Sequence, residues 1–449
     1  MRNRLSLKFR TWAWAVAAFA AAHGAQAEFG PVAFTDGDDP TSGTPRMSQS
    51  TAGQLLWIGG GLSLVYWSQT ANEETAPETP SRIWSRAWDV ADGWGEPVRV
   101  DRSRLDDGRD AGGSHPMQVV AGDSVVVAWH DNRHGSAAGQ WNDHIELYVN
   151  RRPRDGGFGD EDKRLTQTQG TGSGDNRYLP RMAALPDGGI AVVWYDFHWD
   201  PDIAEICVAI GRADGSFDLL DVDAARVTTL ADRAAGDAGR PFTMPQVVAD
   251  AEGRLHITWT TGTNDMGSSL YYGLYDPDEA EWIEGPRRLA TGVRGHFDPP
   301  RLAASPDGGA ICLVYVDRNV DGQGNLVARR RAVGDVDWSA PVTLADGPAP
   351  QQYPAPGIDG EGRLHVAYVD RTTGARAVRY LIYVPGEGVA SDVPVSDGNG
   401  DYIRPALAVS AQGRAAVVWE ERLGLAASRL WFWSNAPGRN GVKDWMNYH

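Results

Sequence analysis

Apolar and polar residues alternate in short runs along nearly the whole chain, and the runs recur. Each copy begins at a proline, continues through a short alternating stretch, turns at a glycine, and closes in an apolar run that ends on an aromatic. The copies read "PMQVVAGDSVVVAWHD", "PRMAALPDGGIAVVWYD", "PQVVADAEGRLHITW", "PRLAASPDGGAICLVYVD", "PAPGIDGEGRLHVAYVD" and "PALAVSAQGRAAVVWEE", preceded by a looser copy, "PRMSQSTAGQLLWIGGGLSLVYW". The closing aromatics are Tyr66, Trp129, Trp194, Trp259, Tyr315, Tyr368 and Trp419, which makes seven copies. A polar loop then leads to a third run, such as "HIELYVN" or "AVRYLIYV". A Gly- or Asp-bearing turn leads to a fourth, such as "DKRLT", "ARVTTL" or "APVTLA". Period-two patterning with β-branched and aromatic residues between such turns predicts antiparallel strands, and no segment carries a sustained helical period.

Seven four-stranded units predict an all-β fold, a seven-bladed β-propeller over residues 28–434 with a tail at 435–449. The seventh copy ends at "RLWFWS" without a fourth strand, whereas "GPVAFT", Gly30 to Thr35, matches the fourth-strand "APVTLA" of repeat five. The N-terminal strand is therefore expected to pair into the last blade and close the ring, covering an edge that would otherwise invite association. The closing aromatics, each at the end of an apolar strand, are expected to form blade-to-blade core and not a ligand-stacking surface.

The first 27 residues change the picture of where the protein works. Arg2, Arg4, Lys8 and Arg10 form a basic head, an apolar run follows from Trp12 to Ala22, and Ala25-Gln26-Ala27 reads as a cleavage site. This is the pattern of a secretory signal. The run is too short to span a bilayer, and no cysteine sits at the cleavage point. A secreted or periplasmic protein without membrane insertion is expected. The formal charge of −17 becomes −21 once the four positive charges of that segment are removed. Such a chain disfavours nucleic acid and anionic membranes but leaves room for a local basic site. Cys207 and Cys312 lie in apolar runs of non-adjacent repeats. Two buried free thiols are expected, although export would permit a bridge.

In a propeller, the loops from strand four to strand one and from strand two to strand three share the rim around the channel mouth. At the start of strand one this rim carries Arg46, His115, Tyr178, Arg181, Arg301 and Arg404. After strand two it carries His130, Asp131, His134, Asp196 and His198. The loops of repeats two and three are the longest, and five of the ten histidines fall there: His115, His130, His134, His144 and His198. Long loops on a rigid scaffold are where function concentrates, and clustered imidazoles suit acid–base work. The "HDNRH" stretch has no established ligand spacing, so neither a metal nor a cofactor is implied. The acid–Arg pairs after strand two (Asp131 and Arg133, Asp317-Arg318, Asp370-Arg371, Glu421-Arg422) recur in many repeats, which favours a structural turn. Arginines at the start of strand one could instead converge on a carboxylate.

The stretch "WHDNRHG…NDHIELYVNRRPRDGGFGDEDKRLT", Trp129 to Thr166, resembles the repeat of bacterial sialidase-like, BNR/Asp-box propellers, and "YIRPALAVSAQGRAAVVWEER", Tyr402 to Arg422, is similar to a sialidase segment. The resemblance covers the mature chain at the repeat level. It implies the propeller fold and a glycan or polysaccharide ligand at the rim. The chain departs from the family in that Arg404 lies one residue before its proline instead of two, the expected acid after that segment is absent, and turns such as "RDGGF" lack the leading Ser of the Asp box. Glycan binding or processing is thus implied more strongly than the sialidase reaction itself. A polysaccharide lyase acting on uronates is the alternative among enzymes. It would use His115, His134 and Tyr178 for proton transfer and Arg181 to neutralise the carboxylate. Arg46, His130, Asp131, Asp196, His198, Arg301 and Arg404 would contact substrate. A non-catalytic protein-binding scaffold is the third reading, and a monomer is expected in each case.

Overall fold

In the computed structural model the described residues are 32–33, 45–46, 54–70, 81–89, 91–102, 113–133, 145–167, 176–211, 225–262, 267–295, 298–318, 324–372, 376–422 and 428–436. The expected signal segment, His134, His144 and residues 437–449 of the expected tail lie outside them.

The fold is all-β. Each repeat forms an antiparallel meander in which the first three strands pair in chain order. In repeat two, Gly113–Ala121 pairs with Ser124–Asp131, which pairs with Glu146–Pro153, which pairs with Lys163–Arg164. Repeat six repeats the scheme with Gln351–Ile358, Leu364–Asp370, Ala377–Val384 and Gly388–Pro394. Repeats four and five share one hydrogen-bonded sheet through the single pair Val293↔Asp317. Repeat three departs from expectation. Its "ARVTTL" stretch contributes one bridge, Arg226 to Cys207, and then turns into a 3-10 turn at Leu230–Asp232 capped by the Thr229 side chain. In the sheet of repeat seven, Val32 pairs with Phe432 and Ala33 with Trp431, so the N-terminal strand occupies the outer position beside Ser428–Ser434.

The first strands adjoin one another in chain order, and Asp401–Val409 of repeat seven adjoins Gln54–Ile58 of repeat one. Polar side chains fasten neighbouring repeats. Gln118 Nε2 donates to Gln54 O and Ser63 O, each at 2.8 Å, and Trp57 Nε1 donates to Ala408 O at 3.3 Å. The apolar second strands are sealed between sheets. Trp129, Trp194, Trp259 and Trp419 have no exposed surface, and Tyr66, Tyr315 and Tyr368 are also buried. These aromatics are core, as their position at the end of apolar strands predicts. Cys207 and Cys312 are buried free thiols.

One local device recurs on the inner strands. The register slips by one residue between Ser114 and Met117, Tyr178 and Arg181, Thr243 and Gln246, Gln352 and Ala355, and Ile403 and Ala406. At each slip a proline has no N–H for the ladder, so the strand bulges there. The residue before the proline, His115, Leu179, Met244, Tyr353 or Arg404, takes φ between 51° and 56°. A left-handed backbone is unusual for non-glycine residues and more so before proline, and costs on the order of 1–3 kcal/mol each.

Candidate functional site

The bulge of repeat two sets His115 beside the end of its partner strand. His115 Nδ1 lies 3.0 Å from His130 Nε2 and 3.0 Å from Ser114 Oγ, and Ser114 Oγ lies 2.5 Å from His130 Nε2. On the far side of its ring, His130 Nδ1 accepts the main-chain N–H of Leu179 from the next repeat at 3.2 Å. Burial pushes the His130 imidazole down to about 3, against the pull of Asp131 and with the help of Arg181. The ring is therefore neutral and carries its proton on Nε2. Ser114 Oγ can accept from both rings at once. His130 Nε2–H can equally donate to His115 Nδ1 across their 3.0 Å contact, which puts the proton of a neutral His115 on Nε2.

Repeat three brings Tyr178 edge-on to His130, ring centroids 5.7 Å apart, and stacks it on Tyr195 at 5.4 Å. Burial pushes the Tyr178 phenol up to about 12, so it is protonated at neutral pH. Its hydroxyl meets no hydrogen-bond partner among the described residues. Three residues on lies Arg181, 1% exposed. Its Nη1 donates to Pro180 O at 3.2 Å, while Nε and Nη2 meet no hydrogen-bond partner among the described residues. Burial and the nearby Arg301 guanidinium push Arg181 well down.

A second group belongs to repeats six and seven. Arg404 Nη1 donates to Glu420 Oε2 at 3.2 Å, both side chains buried. Burial raises the Glu420 carboxyl to about 7 although Arg404 and Arg422 oppose the shift. Tyr353, on the bulge of repeat six, lies in the field of Asp298 and Arg404.

The structure brings His115, His130, Tyr178 and Arg181 together and places Arg301 near Arg181. It places other expected contacts elsewhere. Asp131 and Asp196 are buried, 1% and 0% exposed, and act as turn braces. Asp131 accepts from Trp129 Nε1, the Arg133 amide and Arg133 Nη2. Asp196 accepts from Trp194 Nε1, the His198 amide and Arg177 Nε. His198 sits over Trp199 and takes a 3.4 Å contact from Arg177. Asp131 and Asp196 are drawn into the turn by indole and amide donors that need acceptors once buried, which makes them braces, whereas the His198 ring stays half-buried. Arg46 pairs by backbone with Gln69; its side chain, like His134, lies outside the described residues. Sequence reasoning missed Ser114, Tyr195, Tyr353 and Glu420. For Tyr353 the signal was available, since it precedes a proline at the start of an inner strand. Among the described residues no group of three or more His, Cys, Asp or Glu is placed to hold a metal ion.

No protein-family model matches the chain, and no curated protein matches it. Solved structures do. An ulvan lyase of polysaccharide lyase family PL25, bound to -[GlcA(1-4)Rha3S]-, superposes with a TM-score of 0.59 at 10% identity over 92% of this chain and 99% of that one. The sialidase of Trypanosoma rangeli gives 0.48 at 9% identity, covering 90% of this chain and 57% of that one. The NanB sialidase of Streptococcus pneumoniae gives 0.48 at 10%, covering 90% and 70%. Identity this low speaks to architecture alone, and on the likeness to the lyase the chain has a β-propeller fold.

Proposed function

We propose that the chain is an exported, seven-bladed propeller of degenerate BNR/Asp-box type, closed by its N-terminal strand, that binds acidic polysaccharide at the channel mouth and cleaves it by β-elimination. The observation that carries this reading is the meeting of His115, His130 and Tyr178 beside Arg181, a buried guanidinium that meets no carboxylate among the described residues. The PL25 ulvan lyase, a polysaccharide lyase with the same architecture, agrees with it. A uronate whose carboxylate lies against Arg181 has its charge neutralised, which acidifies the C5–H bond. His115 Nε2 takes the C5 proton. The electron pair forms the C4–C5 double bond, the C4–O4 bond breaks, and the leaving oxygen takes the proton of the Tyr178 phenol. In the tautomer that donates Nδ1–H to Ser114 Oγ, Nε2 of His115 is the basic nitrogen, and after cleavage the His115 imidazolium returns its proton to the Tyr178 phenolate. Glycan binding without cleavage is the broader form of the same reading.

The test is a screen of uronate polysaccharides with the purified protein, following the ultraviolet absorbance of the unsaturated product. Product that forms with the wild type and is lost in Tyr178→Phe and His115→Ala supports elimination. Binding without product reduces the function to recognition. Neither binding nor product overturns the glycan reading in favour of a protein-binding scaffold.

A further inference from the structure

Repeats four and six carry the same stretch, Asp-x-Glu-Gly-Arg-Leu-His, at the turn from the first strand into the second: Asp250 to His256 and Asp359 to His365. Each builds one hydrogen-bonded chain. His256 Nε2 donates to Asp250 Oδ2 at 3.3 Å, and its Nδ1 accepts from the Tyr272 hydroxyl at 3.0 Å. His365 meets Asp359 at 3.0 Å and the Tyr380 hydroxyl in the same way. Burial lowers both imidazoles against the pull of the carboxylates, so each ring is neutral with both nitrogens used. Each phenol ring also rests against an indole, Trp338 or Trp433, ring centroids 5.2 Å apart. The difference is Arg331 of repeat five, whose Nη1 donates to the Tyr272 oxygen at 2.8 Å. The Tyr380 oxygen takes no such donor among the described residues, so holding the chain together does not account for Arg331.

Arg331 opens on space. A cavity of about 330 Å³ between repeats four and five is lined by Leu274, Ile283, Glu284, Arg331, Asp335 and Val336, with Arg254 and His256 behind. That is the small end of ligand sites. It lies where the first strand of repeat four runs into the second, at the pair Ala249↔Leu255, whereas the bulge between Thr243 and Gln246 lies towards the other end. The Arg331 side chain is 6% exposed. Its Nη1 also donates to Glu284 Oε2 at 2.6 Å and its Nε to Asp335 O at 2.9 Å, while Nη2 meets no hydrogen-bond partner among the described residues. A guanidinium so buried needs an acceptor for that nitrogen. The same turn presents a carboxylate: Asp335 Oδ2 accepts the Ala332 amide at 3.3 Å, and the group meets no cation among the described residues. Glu284 and Asp335 repel a plain anion here, and Arg254 and Arg331 repel a plain cation, so a ligand bearing both charges fits the wall. Ile283 and Val336 are 50% and 77% exposed, apolar surface that an aliphatic body would cover. No Trp, Tyr or Phe lines the cavity as a platform for a sugar ring.

We propose that this cavity binds a small aliphatic amino acid as its zwitterion, the carboxylate on Arg331 Nη2, the ammonium on Asp335 and the side chain against Leu274, Ile283 and Val336. The site is independent of the polysaccharide reading, since it uses neither the residues of that site nor that end of the blades. The chain of Tyr272, His256 and Asp250 holds the guanidinium from behind, and Glu284 offsets its charge while Nη2 stays open.

The experiment is calorimetric titration of the full protein with L-leucine and with its two halves, isocaproate, which lacks the amine, and isoamylamine, which lacks the acid, at one ionic strength. Leucine should bind at least about 10-fold more tightly than either half, each of which forgoes one charge-assisted hydrogen bond. Arg331→Met and Asp335→Asn should each weaken leucine about 10- to 100-fold for the same reason. Asp335 is exposed, so Asp335→Asn carries the test if Arg331→Met does not fold. No binding of leucine, a half-molecule that binds as tightly as leucine, or unchanged leucine affinity in Asp335→Asn overturns the site.

Discussion

His130 Nδ1 accepts the main-chain N–H of Leu179 at 3.2 Å, so one imidazole of repeat two is bolted to the bulge of repeat three. That bond fixes the tautomer, and the burial of the ring sets a pH dependence. The folded ring protonates only near pH 3, against 6.5 for an ordinary histidine. Between those values the unfolded chain takes up a proton that the folded one refuses. Stability should therefore fall as pH drops from about 6.5 towards 3, by up to about 1.4 kcal/mol per pH unit from this residue. In His130→Gln, whose amide oxygen can still accept from Leu179, this component of the slope should vanish. Chemical denaturation across that range compares the two proteins, and identical slopes would refute the assignment.

Glu420 behaves in the opposite sense. Its carboxyl is raised from 4.5 to about 7 by burial, so the folded state holds a proton that the unfolded state has lost. This contribution is fully present below about pH 4.5 and disappears as pH rises through 7. The stability difference between wild type and Glu420→Gln should change with pH inside that window and be flat on either side. A flat difference between pH 4.5 and 7, with the change falling below 4.5 instead, would show that Glu420 is ionised in the folded state, paired with Arg404.

Asp196→Ala separates bracing from binding. It strips acceptors from Trp194 Nε1, the His198 amide and Arg177, and should cost about 3–5 kcal/mol because a buried charge loses a partner. Affinity of the folded fraction for polysaccharide should not change. Tyr178→Phe should do the reverse, with stability within about ±0.5 kcal/mol and turnover lost. Thermal melts alongside binding and turnover assays read both.

Removing residues 28–34 should lower the melting temperature of the whole protein, since Val32 and Ala33 supply the outer strand beside Ser428–Ser434. An unchanged melt would mean that this pairing adds nothing to the stability of the sheet.

The core was legible because its signal is local and repeated. An apolar run ending in Trp or Tyr says where each second strand lies, and Trp129, Trp194, Trp259 and Trp419 are sealed as expected. The weak fourth strand of repeat three was not legible, because "ARVTTL" has the right residues and its pairing fails where Thr229 caps a turn instead. The site was half legible. His115, Tyr178 and Arg181 carry chemistry in their residue types, whereas Tyr195 looks like an ordinary strand residue until neighbouring repeats are set side by side. Asp131 and Asp196 looked like rim carboxylates because they follow the last aromatic. The indole two residues back draws each one inward, and no periodicity in the chain reports that.

The left-handed residue before proline has a consequence for how such a protein could be altered. In five repeats the same kinked backbone carries an imidazole, an isobutyl group, a thioether, a phenol and a guanidinium, at His115, Leu179, Met244, Tyr353 and Arg404. The conformation belongs to the backbone and its proline, so the occupant can be exchanged without shifting strand register. The five seats differ in burial: Leu179, Met244 and Arg404 are sealed, whereas His115 and Tyr353 are half-buried. The imidazole of His115 and the phenol of Tyr353 can therefore be exchanged as single-residue grafts, whereas a guanidinium placed at Leu179 or Met244 would bury a charge without a partner.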